Sequence, residues 1–151
     1  MLPTTRVCIV KQKSYFYIMN DTNNQAGSID TVNENEVAVI GPNTIMWKEG
    51  STYDVATTNE QFDKLEKLLQ QFDEKVMYLI DLSKAARPTA EIMDLIAARV
   101  KPLADKFEYV AVYTGKNYLL HIGIKFYFIQ FEFNEYSSHT SLTGALATFK
   151  R

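Results

Sequence analysis

The chain has 151 residues, 46% of them hydrophobic and 23% charged, which is enough to bury the core of one globular domain. It has 16 Lys and Arg residues against 18 Asp and Glu residues, so the formal net charge of −2 gives no general attraction for nucleic acid or anionic lipid. One cysteine excludes an intramolecular disulfide and fits a reducing compartment. No signal-peptide pattern follows the first residues, and polar residues interrupt the longest apolar run, 118–133. We therefore expect a cytoplasmic protein without a transmembrane segment and without a nucleic-acid partner.

The first 35 residues lack helical periodicity. Residues 6–10 and 14–19 are rich in β-branched and aromatic side chains, which predicts two strands of a hairpin or one long strand, and residues 20–28 form a polar loop. Because Tyr15, Phe16 and Tyr17 are consecutive, a strand would turn Phe16 to one face and both tyrosines to the other. Residues 1–35 are interpreted as an N-terminal strand extension, either part of the same domain or an edge element that pairs across a homodimer.

The next segment predicts a hairpin, a helix and a buried strand. Residues 36–40 and 44–48 flank the turn Gly41-Pro-Asn43. The pattern Thr57-Thr-Asn-Glu60 is a capping box, and apolar residues then recur at helical spacing from Phe62 to Phe72. The short apolar run 76–82 is typical of a strand that is covered on both faces.

The last 60 residues predict two further strands and three helices. Thr89 caps a helix that Pro102 ends or kinks, residues 107–113 form a strand, and Ser141 or Thr140 caps a closing helix. The segment 118–133 fits both a helix and an alternating strand, and we predict a helix to about Phe128 followed by a strand over 131–136. Strands that alternate with helices predict an α/β fold with a largely parallel, mixed sheet, about four helices, and the leading hairpin at one edge.

This order of elements resembles a known family. The matching residues are the hairpin 41–47, Val55-Ala-Thr-Thr, Tyr78-Leu-Ile-Asp-Leu-Ser83, Ala86-Arg-Pro-Thr-Ala-Glu91, Tyr109-Val-Ala-Val-Tyr113, Tyr136 and Ala145-Leu-Ala-Thr-Phe149. On these residues, 36–151 is similar to the SpoIIAA-like group of the STAS superfamily, the bacterial anti-sigma-factor-antagonist fold. The resemblance implies a non-enzymatic regulatory or scaffold domain that acts through protein contacts.

The resemblance also places a candidate regulatory loop. In the antagonists of this superfamily, a serine in an Asp-Ser-Ser-Gly-type turn is phosphorylated after the central strand. This chain lacks that turn and has Ala90 near the serine position, with Thr89 as the nearest hydroxyl. The candidate partner-binding residues are those of the 81–89 loop and the start of the helix that follows it: Asp81, Ser83, Arg87 and Thr89. The residue-level alternatives are a turn shaped by the Asp81 carboxylate and a helix cap at Thr89.

An alternative function is a carrier-like module of the same fold that binds a small molecule or lipid. Its pocket is predicted to be lined by Leu119, Ile122, Phe126 and Tyr127. The two hypotheses predict different structures: the regulatory domain predicts an exposed apolar stripe on Met93, Ile96 and Val100, and the carrier predicts a cavity under the later helix.

An enzyme is the least favoured hypothesis. No nucleotide-binding, hydrolase or metal motif occurs, and the two histidines, His121 and His139, have no spacing typical of a ligand set. Cys8 lies between Val7 and Ile9, which favours a small core residue rather than a nucleophile. We expect no catalytic residue, no metal and no cofactor, and a protein partner, a second copy of the chain or a small hydrophobic ligand as the binding partner.

Overall fold

The computed structural model describes residues 29–52 and 54–150. The predicted N-terminal strands, Cys8 and the aromatic run Tyr15, Phe16 and Tyr17 lie outside the described residues. The strands and α-helices are, in chain order, β1 (Glu36–Gly41), β2 (Thr44–Lys48), α1 (Val55–Leu69), β3 (Val76–Asp81), α2 (Ala90–Val100), β4 (Phe107–Tyr113), α3 (Tyr118–Phe131), β5 (Tyr136–His139) and α4 (Leu142–Ala147).

The five strands form one mixed sheet in the order β1-β2-β3-β4-β5. β1 pairs antiparallel with β2, and the other neighbours pair in parallel. The tight β1–β2 turn places Asn43 at a φ of 56°, a left-handed conformation that asparagine tolerates. The α/β class, the leading hairpin at the edge and the four helices predicted from the sequence are confirmed.

Helices cover both faces of the sheet. On one face, a core that includes Trp47, Phe62, Tyr78 and Phe107 joins the sheet to α1, α2 and α3. On the other face, a smaller core around Met46 and Leu79 packs against α4 and the segment near Val32. Neighbouring residues of β2, such as Met46 and Trp47, therefore point to opposite cores, as the two-residue period of a strand requires.

The start of α1 differs from the prediction. The helix begins at Val55, and its cap is Asp54, whose carboxylate accepts a hydrogen bond from the backbone N–H of Thr57 at 2.8 Å. The predicted capping box at Thr57 was wrong because an aspartate three residues earlier satisfies the free N–H groups of the first turn. The caps of α2 and α4 are Thr89 and Ser141, in agreement with the sequence.

The ambiguous segment 118–133 is helical almost throughout. α3 continues to Phe131, and Glu132 ends it in a left-handed conformation with a φ of 61°. The predicted helix end at Phe128 and the predicted strand over 131–136 were wrong, since β5 covers Tyr136–His139. The helical conformation is favoured over a strand because Phe128, Phe131 and Phe133 then pack as a cluster of tilted and edge-on rings.

Arg99 joins α2 to α1. Its guanidinium donates to Asn59 at 2.8 Å and to Asp63 and Glu66 at 2.9 Å each, and it lies 5.3 Å from the centre of the Phe62 ring. Burial lowers the pKa of Arg99, but the hydrogen bonds and charges of Glu66 and Asp63 outweigh burial and raise the pKa overall.

We expect Arg99→Ala to lower the free energy of unfolding by about 1–2 kcal/mol, because it removes three charge-assisted hydrogen bonds and a cation–π contact together. Urea unfolding followed by circular dichroism measures the change. Arg87→Ala is the matched control, because Arg87 is exposed and makes none of these contacts. Equal effects of the two substitutions would show that Arg99 contributes only its charge.

Candidate functional site

The predicted 81–89 loop begins with a closed turn. Asp81 is buried, and its Oδ1 accepts hydrogen bonds from the Ser83 backbone N–H at 2.9 Å and from the Ser83 hydroxyl at 2.6 Å. Gly115, at a φ of +62°, packs against this turn, and a Cβ there would lie 3.0 Å from Cβ of Ser83. The carboxylate therefore shapes the loop and holds Ser83 rather than facing solvent.

The other two predicted loop residues do not join this pair. Thr89 uses its hydroxyl to accept the backbone N–H of Ile92 at 3.3 Å, so it caps α2. Arg87 is exposed. The structure thus brings Asp81 and Ser83 together and leaves Arg87 and Thr89 apart from them.

The apolar residues of α2 face inwards. Val100 is buried, and Met93 and Ile96 are partly buried against the core that joins the helices to the sheet. The exposed stripe that the regulatory hypothesis predicts on these three residues is not formed. All three instead line a cavity.

This cavity, of about 100 Å³, lies between the sheet and the helices α1, α2 and α3. Its walls are mostly aromatic and aliphatic side chains, with Glu49 as the one charged residue. The lining residues are Trp47, Glu49, Phe62, Tyr78, Ile80, Leu82, Met93, Ile96, Val100, Leu120, Ile124, Tyr127, Phe128, Phe131 and Phe133.

The four residues predicted to line a pocket lie on two faces of α3. Of these, Tyr127 lines the cavity, whereas Leu119, Ile122 and Phe126 are exposed on the opposite side of α3. The sequence does not separate the two faces because α3 is apolar on both, so its periodicity does not show which side meets the sheet.

The polar part of the cavity centres on Glu49. Glu49 follows β2, is 5% exposed, and accepts a hydrogen bond from the Trp47 indole N–H at its Oε2 at 3.2 Å. Its other oxygen, Oε1, is buried without a hydrogen-bond partner in the described structure, as are both polar atoms of the Gln61 side chain. Burial raises the pKa of Glu49, and two side chains offset part of that rise: Trp47 through its hydrogen bond, and Gln61, which lies near the carboxyl group without meeting hydrogen-bond geometry.

Tyr78 adds a buried hydroxyl group that is held neutral. Its side chain lies in the cavity wall on β3, and burial, followed by the nearby Glu49 carboxylate, raises the pKa of its hydroxyl well above 10.0. The cavity lining thus combines apolar side chains with a buried carboxyl group, one oxygen of which has no hydrogen-bond partner among the described residues. Glu49 does not stand out in the sequence because Lys48-Glu49-Gly50 is typical of a surface turn. Its position two residues after Trp47 was the available signal, since residues two apart in an extended segment share a face.

A second polar cluster lies where α3 meets β5. Ser138 Oγ is 2.6 Å from His121 Nδ1, and Ser137 Oγ is 2.7 Å from His139 Nε2. Burial lowers the pKa of His139, and the neighbouring His121 lowers it further. A serine nucleophile needs a base that a third group orients, and no carboxylate hydrogen-bonds to either ring within residues 29–52 and 54–150.

We expect His139→Gln to flatten the pH dependence of stability between pH 5 and about 7. The folded chain binds the His139 proton more weakly than the unfolded chain, whose histidine pKa is 6.5, so the wild type loses stability as the pH falls through that value. Urea midpoints measured across this range for both chains test the expectation. Parallel pH profiles would contradict it.

None of the helices in the described part of the chain combines the length and the apolar character needed to cross a bilayer. In the same residues, no three His, Cys, Asp or Glu side chains come close enough together to hold a metal ion. Comparison with known proteins gives no match to a family model, to a curated protein or to a solved structure.

Proposed function

We propose that this protein binds a small apolar ligand that carries a hydrogen-bond donor, such as an amine or a hydroxyl group. The observation that carries the proposal is the cavity between the sheet and α1–α3, which is lined by Glu49, a residue whose buried Oε1 has no hydrogen-bond partner in the described structure. A buried carboxyl group without a full set of partners costs stability, so a chain that keeps one at a cavity gains when a ligand supplies the missing donor.

The size of the cavity limits the ligand. An apolar cavity of about 150 Å³ engineered in another protein takes benzene, so a volume near 100 Å³ suits one small ring or a short branched chain. The aromatic rings of Trp47, Tyr78 and Phe128 would enclose that body, and Glu49 would fix its orientation. A long acyl chain would need the cavity to widen or the ligand to extend through its mouth.

Binding without turnover is part of the same proposal. The cavity lining includes one carboxyl group and no histidine, serine or cysteine. The other ionisable groups in the lining are the hydroxyls of Tyr78 and Tyr127, and burial raises the pKa of Tyr78 well above its usual value, which disfavours the tyrosinate that a base or nucleophile would need. The Ser138–His121 pair lies outside the lining.

The SpoIIAA-like STAS resemblance is retained as a proposal for the fold family. The strand order, with one antiparallel edge hairpin followed by parallel strands, supports it. The regulatory function that the family implies is less well supported in this chain. Asp81 hydrogen-bonds Ser83 within its own turn, and the apolar side of α2 is turned inwards.

Fluorescence of Trp47 tests the proposal directly, because Trp47 is the one tryptophan of the chain and lines the cavity. Benzylamine, benzyl alcohol and toluene are titrated into the full chain. We expect saturable changes with a Kd on the order of 0.1–1 mM for the two ligands with a donor, and weaker binding of toluene.

Two matched substitutions locate the site. Ile96→Phe adds volume to a cavity wall and is expected to weaken benzylamine binding at least tenfold. Ile122→Phe makes the same change on the exposed side of α3 and is expected to leave binding unchanged. Absence of saturable binding of all three probes, or equal effects of the two variants, would refute the proposed ligand site.

A further inference from the structure

α3 has a second apolar face that points away from the core. Its members, here named the outer stripe, are Leu119, Ile122, Phe126 and Ile129, which are 84%, 64%, 70% and 69% exposed. Lys125 is the only charged residue of α3, and it flanks the stripe without interrupting it. A helix that is apolar all round is normally covered on both sides, so this exposure indicates an interaction surface.

The spacing of the outer stripe is that of a coiled-coil seam. Its steps of three, four and three residues match the a and d positions of two heptads. The steps also read the same in both directions. A two-fold axis at the level of residue 124 would set Leu119 of one copy against Ile129 of the other, and Ile122 against Phe126. An isologous interface requires this self-complementarity.

Gly123 is a second observation at the same place. Glycine inside a helix costs about 1 kcal/mol relative to alanine. No contact in the described structure requires a glycine at this position, because a Cβ on Gly123 would meet no other atom within 4 Å. Gly123 lies beside the outer stripe near the level of the two-fold axis, where the absence of a side chain would let a second helix approach closely.

Area and charge favour a second copy of the chain over other partners. The outer stripe and Tyr118 expose on the order of 700 Å², close to the roughly 800 Å² that each partner buries in a stable interface. The chain has a net charge of −2, which gives little attraction to an anionic membrane. We propose that the protein forms a two-fold homodimer in which the outer stripes of two antiparallel α3 helices pack against each other.

Sedimentation equilibrium of the full chain between about 1 and 200 µM tests the proposal. We expect a monomer–dimer equilibrium with a Kd in the micromolar range. Phe126→Lys and Ile122→Asp each place a charge in the seam and should weaken association at least 100-fold. Ala98→Lys is the control, since it adds a lysine at an exposed position of α2. Circular dichroism checks that every variant is folded.

Disulfide trapping tests the orientation. In a Cys8→Ser background, Leu119→Cys and Ile129→Cys chains are mixed and oxidised, and the antiparallel seam predicts crosslinks between the two different chains. Crosslinks that form mainly between two Leu119→Cys chains would overturn the arrangement. Two results would overturn the dimer. One is a wild-type chain that stays monomeric at 200 µM, whether or not it binds vesicles. The other is a Phe126→Lys chain that dimerises as strongly as the wild type.

Discussion

Replacing Phe128 by alanine is expected to lower the free energy of unfolding by about 3–5 kcal/mol. Phe128 is 2% exposed. The centre of its ring lies 4.9 Å from the ring centre of Tyr136, 5.2 Å from that of Phe133 and 5.9 Å from that of Phe131. The side chain therefore attaches α3 to β5 and to the sheet. It also lines the cavity, so the space left by truncation would join an existing void that the surrounding structure cannot close.

Phe126→Ala is the matched control, because it makes the same change two residues earlier on the same helix, at a side chain that is 70% exposed. Its expected cost is under about 1 kcal/mol when the chain is monomeric. Urea unfolding at about 1 µM protein compares the two variants away from any association through the outer stripe. Equal costs would mean that α3 does not pack against the sheet through Phe128.

The contrast between these two phenylalanines shows why the sequence predicted that α3 exists but not how it is oriented or where it ends. Its existence follows from apolar residues at helical spacing, and its cap at Asn117 is a normal helix start. Its orientation and its end do not follow, because an apolar residue stands at almost every position and both faces look like a core. The interaction that decides the orientation is the aromatic cluster, which joins residues of α3 to Phe133 and β5 beyond the helix end.

Strands β1 to β4 were predicted more closely because their signals are local. The run 107–113 is rich in aromatic and β-branched residues, and Gly41-Pro-Asn43 marks the hairpin turn without help from distant residues. The start of α1 was misplaced by three residues, since both Asp54 and Thr57 are good caps and local sequence does not rank them.

The candidate site is the part that sequence predicted least. Its walls come from β2, β3 and three helices, so no linear spacing encodes it. Glu49 in particular has the sequence context of a solvated turn residue. Tertiary contacts place it inside the protein: its backbone N–H donates to the Asp81 carbonyl oxygen at 2.9 Å, and the ring centres of Trp47 and Phe62 beside it lie 4.7 Å apart.

Glu49→Gln is expected to stabilise the unliganded protein by about 1–3 kcal/mol at neutral pH while weakening its binding of amines. The amide oxygen of glutamine can still accept the Trp47 indole N–H, now at 3.2 Å from Oε2, and the substitution removes a buried charge. An amide N–H₂ group in place of Oε1 cannot accept a donor from the ligand. We expect the affinity for benzylamine to fall at least tenfold and the binding of toluene to change little.

The pH dependence identifies the carboxyl group responsible. Burial raises the pKa of Glu49 above its usual value of 4.5. At a pH between 4.5 and the folded pKa, Glu49 therefore keeps its proton in the folded chain and loses it in the unfolded chain. The wild type should therefore lose stability as the pH rises from 4.5 through the folded pKa, and the Glu49→Gln variant should not. The two chains should be about equally stable near pH 4, where both side chains are neutral, and should diverge above it.

Glu74→Gln is the control, since it makes the same chemical change at an exposed loop position. It is expected to leave both the urea midpoint and benzylamine binding unchanged. A Glu49→Gln chain that is less stable than the wild type at pH 7 would show that the carboxylate is fully satisfied in the fold. A variant that gains stability and still binds benzylamine normally would separate the buried charge from ligand recognition. Only a gain in stability together with a loss of amine affinity fits a carboxyl group that is kept, at a cost in stability, for a ligand.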